Sequence, residues 1–422
     1  MKRQLVCCLL TMFACTGRED SASSTAAWRA EWDTVGDTII VRTVSGSIWS
    51  ERATLVPRVT IGVAEGDENL MLGDIRGLAV GPDGSIYIAE GGPSLKKFGP
   101  DGQFIRTIGR VGSGPGEFRR PDGGLAVLPD GRVVLRDPGN GRLAVFSPEG
   151  EPLTTWRISS GLNTSRRLYA DTAGNVYTLV LVDPEAQVDE WVMGLLRFTP
   201  DGTSTDTLRA PTWRFDESVI KAEREGSSSI NEVPFSADDS WTFSPLGYYA
   251  GGVSTSYRID LFRPGSPLRI ERSTPPIPVL PEEAADHKRV ASENMERNYP
   301  GWVWNGPDVP RVKPPFREVY AGDDGRIWVR VSTPGFKDST ATREEGVGSR
   351  TWSVPTWQEA VAFDVFDAEG QYLGAVDAPA GFQSWPEPVF RGDTVWAAVE
   401  DEDGVKYIQR LELVRAPAQA AK

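Results

Sequence analysis

The sequence predicts an all-β fold made of repeated four-stranded units, and three observations support this. Two segments are close copies, GLAVGPDGSIYI (77–88) and GLAVLPDGRVVL (124–135), and in each an Asp-Gly turn joins two short apolar runs. This pattern is the strongest short-range signal for a β-hairpin. Each copy continues through a third strand, a second turn and a fourth strand, over 95–109 and 142–158, and the chain is rich in turn formers, with 44 Gly and 32 Pro. Four antiparallel strands per repeat predict the blades of a β-propeller.

Four fainter copies follow the two clear ones and are recognised by the same turn between two strands. Their inner hairpins lie at 168–179, 241–252, 319–331 and 389–399. Together with the two clear copies they predict six blades. The predicted propeller occupies residues 31–415, and residues 416–422 form a short tail.

The last copy lacks a fourth strand because the chain ends soon after Val414. The segment LVPRVTIG (55–62) matches the fourth-strand segment QFIRTIG (103–109), and both lead through a Gly-rich stretch into GLAV. We therefore expect the N-terminal strand to complete the last blade and to close the ring, which removes free sheet edges. One further predicted strand, DTIIVRTV (37–44), has no assigned place.

The repeats resemble the NHL family of six-bladed propellers. The family pattern, an aromatic-rich strand that ends in an acid and a phenylalanine before a second turn, is carried by residues 86–90 with Phe98 and by residues 133–137 with Phe146. The segment KPPFREVYAGDDGRIWV (313–329) is similar to the bacterial lipoprotein branch of TolB-like six-bladed propellers. The resemblance implies the fold but no particular activity, since most such bacterial propellers have none assigned.

The N-terminus, MKRQLVCCLLTMFAC (1–15), has two basic residues followed by a short apolar run, which predicts a signal peptide. It resembles a bacterial lipoprotein signal with lipidation at Cys15; the alternative is a plain secretory signal cleaved nearby. Residues 16–30 are polar and Ser-rich and predict a flexible linker. We expect an exported protein of the cell envelope, either lipid-anchored to the outer membrane or periplasmic, that meets the membrane only through the anchor.

The residues that exceed the repeat length are concentrated in four insertions. They lie at 182–190, 209–239, 273–316 and 332–358. In an up-and-down blade these connections emerge on the same face, and insertions on one face usually mark the binding surface. The insertion at 273–316 also predicts a helix from about Glu282 to Arg297, with acidic residues in its first turn.

Aligning the repeats places one column of residues at the mouth of the central channel, just before each first strand. The column includes Arg76, Arg166, Arg317 and Asp239. Several converging arginines could bind an anionic group such as a carboxylate. The alternative is that they pair with Asp122, Asp239 and Glu318 and only join neighbouring blades.

The long-loop face also carries a set of tryptophans. The candidates for ligand contact are Trp302, Trp304, Trp352 and Trp357. Aromatic faces suit sugars and peptides, so these side chains could form a platform over the channel. The alternative is that they are the apolar underside of a helix that packs on the propeller face.

Evidence for catalysis is weak. Glu90 and Asp137 end second strands near the same rim and could hold calcium, although both occupy the ordinary acidic position of the repeat. His287, the single histidine, falls among charged residues of the predicted helix, where a solvated side chain is expected. All three cysteines lie in the first fifteen residues, which leaves no disulfide or Cys-type metal site in the body. No GxSxG, HExxH or P-loop pattern occurs.

The net charge of −14 excludes a nucleic-acid binder, which needs a basic surface. The sequence therefore favours a binding or scaffold module without a cofactor, which recognises a protein, peptide or glycan in the cell envelope through its long-loop face. Two alternatives stay open. One is a calcium-dependent hydrolase or lactonase-type enzyme, and the other is a sensor of a small anionic ligand in the central channel.

Overall fold

The computed structural model describes residues 27–158, 167–183, 185, 191–224, 227–338, 344–347 and 350–415. Thirty-four strands and one α-helix occupy these residues, which confirms the predicted all-β class. The predicted signal peptide and Cys15 lie outside the described residues. The first strand begins at Arg29, inside the segment predicted as linker.

The N-terminal half contains the first three units. Three strands precede them: β1 (Arg29–Val35), β2 (Thr38–Ser45) and β3 (Ala53–Ile61). The first unit comprises β4 (Ile75–Val80), β5 (Ile86–Glu90), β6 (Leu95–Phe98) and β7 (Phe104–Ile108). After the short pair β8 (Arg110–Val111) and β9 (Glu117–Phe118), the second unit comprises β10 (Leu125–Val127), β11 (Val133–Asp137), β12 (Arg142–Phe146) and β13 (Pro152–Arg157), with a 3₁₀ turn at Pro138–Asn140. The third unit comprises β14 (Tyr169–Ala170), β15 (Val176–Leu181), β16 (Met193–Phe198) and β17 (Ser204–Arg209).

The C-terminal half contains the other three units and most of the inserted structure. An inserted hairpin, β18 (Val219–Arg224) and β19 (Ser227–Glu232), precedes the fourth unit, which comprises β20 (Asp239–Phe243), β21 (Tyr249–Val253), β22 (Arg258–Leu261) and β23 (Leu268–Arg272). Helix α1 (Pro281–Asn298) follows. The fifth unit begins with β24 (Phe316–Ala321) and β25 (Ile327–Val331), is interrupted by β26 (Gly335–Lys337), β27 (Glu344–Val347), β28 (Arg350–Ser353) and β29 (Trp357–Glu359), and ends with β30 (Ala362–Phe366) and β31 (Tyr372–Asp377). The sixth unit comprises β32 (Val389–Arg391), β33 (Thr394–Glu400), β34 (Lys406–Arg415) and β3.

The strands of the first five units pair antiparallel in chain order, as the hairpin turns dictate. In the two clear repeats the turn glycines, Gly84 and Gly131, have φ values of 82° and 86°, a left-handed conformation that favours glycine. The aspartates before them, Asp83 and Asp130, accept hydrogen bonds from the backbone N–H two residues on, at 3.0 and 3.1 Å. The Pro-Asp-Gly signature therefore encodes the turn that sets the register of each inner hairpin.

Neighbouring units pack through apolar clusters, one in each space between them. Leu95 of the first unit and Leu135 of the second lie in one such cluster. The corresponding cluster between the sixth unit and the first contains Ile408 and Ile75. Four more clusters join the intervening pairs within the described residues. Because the last cluster joins the end of the chain to its beginning, the units close into a ring.

The ring closes as predicted, through β3. This strand pairs antiparallel with β34 over its whole length, from Ala53 opposite Arg415 to Ile61 opposite Ile408. Its first residues also pair, in parallel, with the end of β31 in the fifth unit. The N-terminal strand thus completes the sixth unit and contacts the fifth.

The unassigned strand finds its place at the outer edge of the fourth unit. β2 pairs in parallel with β23, and β1 pairs antiparallel with β2, so this sheet has six strands instead of four. The side chains of Ile40 and Val41 are buried there. Within the described residues, the structure contains no helix long and apolar enough to cross a membrane.

Candidate functional site

Three of the four long insertions meet on one face of the ring. Hairpin β18–β19 packs on helix α1, and buried Ile220, Val233 and Met295 form the centre of that contact. On its other side α1 contacts β28 and β29. Part of the fourth insertion, 182–190, lies outside the described residues. The meeting of the other three confirms that these insertions build a common surface, and the predicted helix is present as Pro281–Asn298.

Directional hydrogen bonds tie α1 to the insertion at 332–358. Asn294 donates from Nδ2 to the carbonyl oxygen of Ser353 at 2.9 Å and accepts from the Ser353 N–H at 2.8 Å. Asp286 accepts from the N–H groups of Thr356, at 2.6 Å, and Trp357, at 3.2 Å. These contacts hold residues 355–359 against the helix and place Trp357 over the ring.

A buried ion cluster joins the insertions to the sheets below. The ammonium group of Lys313 lies 2.5 Å from Glu283 Oε1 of α1 and 2.8 Å from Glu359 Oε1 of β29. The side chains of Lys313 and Glu283 have no exposed surface. Glu359 also pairs with Arg317 at 3.3 Å. Burial raises the pKa of Glu359, but Arg317 and Lys313 outweigh it and hold the pKa below its ordinary value, so this carboxylate stays charged.

Under these insertions lies a cavity of about 1070 Å³, the central cavity, at the starts of β20 and β24. The loop before the sixth unit, 382–387, forms another wall. Arg167 of the third unit and Glu387 of this loop form an ion pair at 3.2 Å. The aromatic residues of the lining are Trp241, Trp357, Trp385, Tyr320, Phe235, Phe316 and Phe382. The ionisable residues of the lining are Glu232, Asp238, Asp239, Glu318, Glu359, Glu387, Arg317, Arg330 and His287.

The cavity is acidic. Its two arginines are already paired with carboxylates, Arg317 with Glu359 and Arg330 with Glu318, the latter at 2.9 Å. Of the other four carboxyl groups, Glu387 pairs with Arg167, and Glu232 feels the charges of Asp238 and Asp239.

Glu232 lies at the end of β19, where the inserted hairpin returns to the ring. The pKa of Glu232 is raised to about 7, mainly by burial. The charge of Asp238, a hydrogen bond to Asp238 and the charge of Asp239 add to this rise, and Arg317 opposes it. The proton of Glu232 therefore leaves near neutral pH, and its hydrogen bond with Asp238 depends on that proton.

This shift predicts a pH dependence of stability. Since folding raises the pKa of Glu232 from 4.5 to about 7, its stabilising contribution is complete below pH 4.5 and is lost as the pH rises through 7. Because Glu232 is only partly removed from water at the cavity edge, solvent screening reduces the effect, and we expect only about 1 kcal/mol. Between pH 5 and pH 8 the wild type should therefore lose about this much free energy of unfolding relative to Glu232→Gln, whose side chain does not titrate. Urea unfolding of both proteins at both pH values would measure the difference.

Glu223→Gln is the matched control, because Glu223 is an exposed glutamate of the same hairpin. It should follow the wild type at both pH values. If Glu232→Gln also followed the wild type, the proton on Glu232 would have no part in stability.

The structure brings together only part of the predicted arginine column. Arg317 and Asp239 both line the central cavity. Arg76 is not among the lining residues; it pairs with Asp74 at 2.7 Å. Arg166 lies outside the described residues.

The ion pairs also differ from those considered in the sequence. Asp122 pairs with buried Arg136 at 2.8 Å, and Glu318 pairs with Arg330. Repeat alignment identified which positions are charged, but each partner is chosen by side-chain packing, which a repeat pattern does not encode.

The four predicted tryptophans have different environments. Trp302 donates from its indole nitrogen to the carbonyl oxygen of Lys221 at 2.8 Å, and Trp304 donates to Gly306 at 2.9 Å; both pack against the α1–hairpin cluster. Trp352 is 37% exposed and does not line the central cavity, whereas Trp357 does. Residue type and loop position alone do not separate packing tryptophans from cavity tryptophans.

Sequence reasoning missed several lining residues. Trp385 is 47% exposed in the loop before the sixth unit. The sequence pattern marks neither Trp241 nor Glu232 as a candidate, although both line the cavity. The available signal for Trp385 is its position in or beside the long-loop face.

His287 is not the solvated side chain predicted. Its ring meets the ring of Phe235 edge-on at 4.6 Å, and Nε2 lies 3.1 Å from the carbonyl oxygen of Trp357. Burial lowers its pKa, so the imidazole is neutral at physiological pH. Residues of two other insertions, Phe235 and Trp357, pack against the face of α1 that carries His287, and this contact removes the ring from bulk solvent.

The two metal candidates are engaged by their own units. Glu90 pairs with Lys96 at 2.8 Å and accepts the N–H of Gly73. Asp137 is fully buried and accepts hydrogen bonds from the N–H groups of Arg119 and Arg120. Among the described residues, no three His, Cys, Asp or Glu side chains are grouped to hold a metal ion. The calcium site stays a prediction.

No family model matches the sequence, and no curated protein matches it significantly. Among solved structures, a member of the DUF4221 family from Bacteroides vulgatus matches with a TM-score of 0.51 and 10% identity, over 86% of this chain and 99% of that one. The WD40 repeats of RRP9 (TM-score 0.44, 11% identity, 86% and 100% covered) and a gluconolactonase from Xanthomonas campestris (0.37, 13%, 88% and 99%) also match. At these identities the likeness concerns the fold alone, which is β-propeller-like.

Proposed function

We propose that the protein is an exported binding module of the cell envelope that holds a glycan in its central cavity. The observation that carries this proposal is the joint presence of carboxylates and of one exposed and two half-buried tryptophan rings in one preformed cavity of about 1070 Å³. The proposal includes a six-bladed ring of the NHL or TolB-like type and a lipid anchor at Cys15. A cofactor is not part of it.

The aromatic lining supports a sugar ligand. Trp385 is about half exposed, and Trp357 and Trp241 lie in the same cavity. An indole ring offers a large flat apolar surface with little conformational entropy to lose, and it can cover the C–H face of a sugar ring. The contacts between α1 and residues 355–359 hold Trp357 in place before ligand binds.

The polar lining supports the same ligand class. Asp238, Asp239 and Glu232 present carboxyl oxygens that accept hydrogen bonds from hydroxyl groups. Arg317 and Arg330 keep guanidinium N–H groups beside them. Convergent polar groups among aromatic walls are the usual composition of a specific small-ligand site. An anionic ligand is not favoured, because carboxylates outnumber arginines in the lining.

Binding to a glycan array, followed by isothermal titration of the best oligosaccharide, tests this function. Trp385→Ala should weaken binding at least tenfold, since it removes the exposed ring, and a tenfold loss corresponds to about 1.4 kcal/mol. Trp352→Ala is the matched control, because Trp352 is similarly exposed on the same face but outside the central cavity. It should leave the affinity unchanged.

Two outcomes would contradict the glycan assignment. One is the absence of any glycan that binds, together with saturable binding of a lysine-rich peptide, which the acidic lining would then explain. The other is an equal loss of affinity in the Trp385 and Trp352 variants, which would place the ligand outside the central cavity.

A further inference from the structure

A second cavity, of about 820 Å³, lies between the fourth and fifth units. Two proline-rich segments, 273–277 and 310–315, form one wall, which we call the proline wall. The opposite side consists of the turn at 254–257 and of residues of β30 and β31. The cavity is distinct from the central cavity, although Phe235 and Ser254 line both.

The proline wall is fixed before any ligand arrives. Its two segments pair through an antiparallel bridge between Pro278 and Val312 and through the hydrogen bond from the N–H of Lys313 to Ile277 at 2.8 Å. The side chain of Lys313 then enters the buried ion cluster with Glu283 and Glu359. A wall held in this way keeps the cavity open at little entropic cost to a ligand.

Apart from Ser273, Thr274 and Lys313, the wall residues that line the cavity are apolar, and several of them are prolines without a backbone donor. The residues that give it this character are Pro275, Pro276, Ile277, Pro310, Val312 and Pro314. Proline has no N–H, so the four prolines of this set cannot donate a hydrogen bond to a polar ligand. An aliphatic chain is the ligand part that such a surface accepts with least loss of hydrogen bonding.

Positive charge enters the lining next to the proline wall, at the end of β23. Arg272 lies against the ring of Tyr372 at 3.9 Å, and its Nη1 donates to Asp364. Asp364 also accepts the hydroxyl groups of Tyr257 and Tyr372, at 2.8 and 2.7 Å, so it is fully engaged. Burial alone would lower the pKa of Arg272, but Asp364 more than compensates, and the guanidinium stays charged.

Arg52 lines the same cavity and is 53% exposed in its side chain, with Asp377 as its ion-pair partner at 3.1 Å. The charged side chains of this lining are three cations, Arg52, Arg272 and Lys313, and one carboxylate, Asp364. Lys313 is neutralised from the far side by two glutamates. The two arginines keep N–H donors that can reach an anion.

We propose that this second cavity binds an aliphatic monocarboxylate, with its chain against the proline wall and its carboxylate at Arg272 and Arg52. The cavity volume falls within the range of ligand sites and accommodates a medium-length chain. The site does not depend on the function proposed for the central cavity.

Isothermal titration with three probes that share an eight-carbon chain tests the proposal: octanoate, 1-octanol and octyltrimethylammonium. Octanoate should bind one site at least tenfold more tightly than octanol, and the cationic probe should bind still more weakly. Equal affinity for all three probes, or no saturable binding of octanoate, would overturn the proposal.

Two pairs of variants locate the site. Val312→Trp fills the cavity and should weaken octanoate binding at least tenfold, whereas Val303→Trp, at an exposed valine of the same insertion outside the cavity, should not. Arg52→Ala should weaken it about fivefold, whereas Arg58→Ala, at a similarly exposed and paired arginine of β3, should not. If each control weakened binding as much as its partner, octanoate would be bound elsewhere and the proposal would fail. Glycan binding in the same variants reports separately on the central cavity.

Discussion

Replacing Lys313 by methionine should lower the free energy of unfolding by about 3–5 kcal/mol, the usual cost of breaking a buried ion pair on one side. In the variant, the fully buried carboxylate of Glu283 loses its cationic partner, and Glu359 keeps only Arg317 as an ion-pair partner. A methionine of similar length fills the space, so the loss is electrostatic and not a matter of packing. Guanidinium unfolding of the purified protein would measure it.

Two further variants make this test specific. Lys406→Met, at an exposed lysine of β34, should change stability by less than about 0.5 kcal/mol. The double variant Lys313→Met/Glu283→Leu removes both buried charges and should recover part of the loss, because a buried apolar pair avoids the desolvation cost. If the single variant were as stable as the wild type, the insertions would be held to the ring by other contacts.

Leu55→Asp should destabilise the protein by about 3–5 kcal/mol, because it both removes a buried leucine and buries an unpaired carboxylate. Leu55 is 3% exposed and belongs to the apolar cluster between the fifth and sixth units. It lies on β3, so the loss acts on the strand that closes the ring. Thermal unfolding followed by circular dichroism would report it as a strongly lowered Tm.

Thr60→Asp on the same strand is the matched control. Thr60 is exposed and faces away from the core, so the same new charge should cost little. Should Leu55→Asp and Thr60→Asp unfold at the same temperature, β3 would be dispensable, and the sixth unit would be stable with three strands.

The order of the strands and their pairing into hairpins could be predicted from the sequence, because local signals encode both. The Pro-Asp-Gly turns at Asp83 and Asp130 set hairpins within a few residues, and the match between 55–62 and 103–109 identified a missing fourth strand. Helix α1 was predictable from its acidic start. In each case the information lies in neighbouring residues or in a repeat.

The remaining features depend on contacts between distant segments. β2 joins the fourth unit by parallel pairing with β23, and no turn or repeat links those strands. The closeness of Glu232 to Asp238 follows from the path of the inserted hairpin. Trp385 becomes a cavity residue only because the loop before the sixth unit turns over the ring. Such positions are set by tertiary packing, and single-sequence patterns carry little of it.

The pairing of β3 with β34 also has a consequence for how the molecule is made. A ribosome produces β3 long before β34, so β3 must wait for its antiparallel partner while the intervening units are synthesised. Leu55 and Leu413 meet across nearly the entire chain, and contacts of such separation form slowly. The first five units can form before β34 has been synthesised, but the sixth becomes complete only afterwards. A product truncated before Lys406 would carry β3 with no antiparallel partner and could not close.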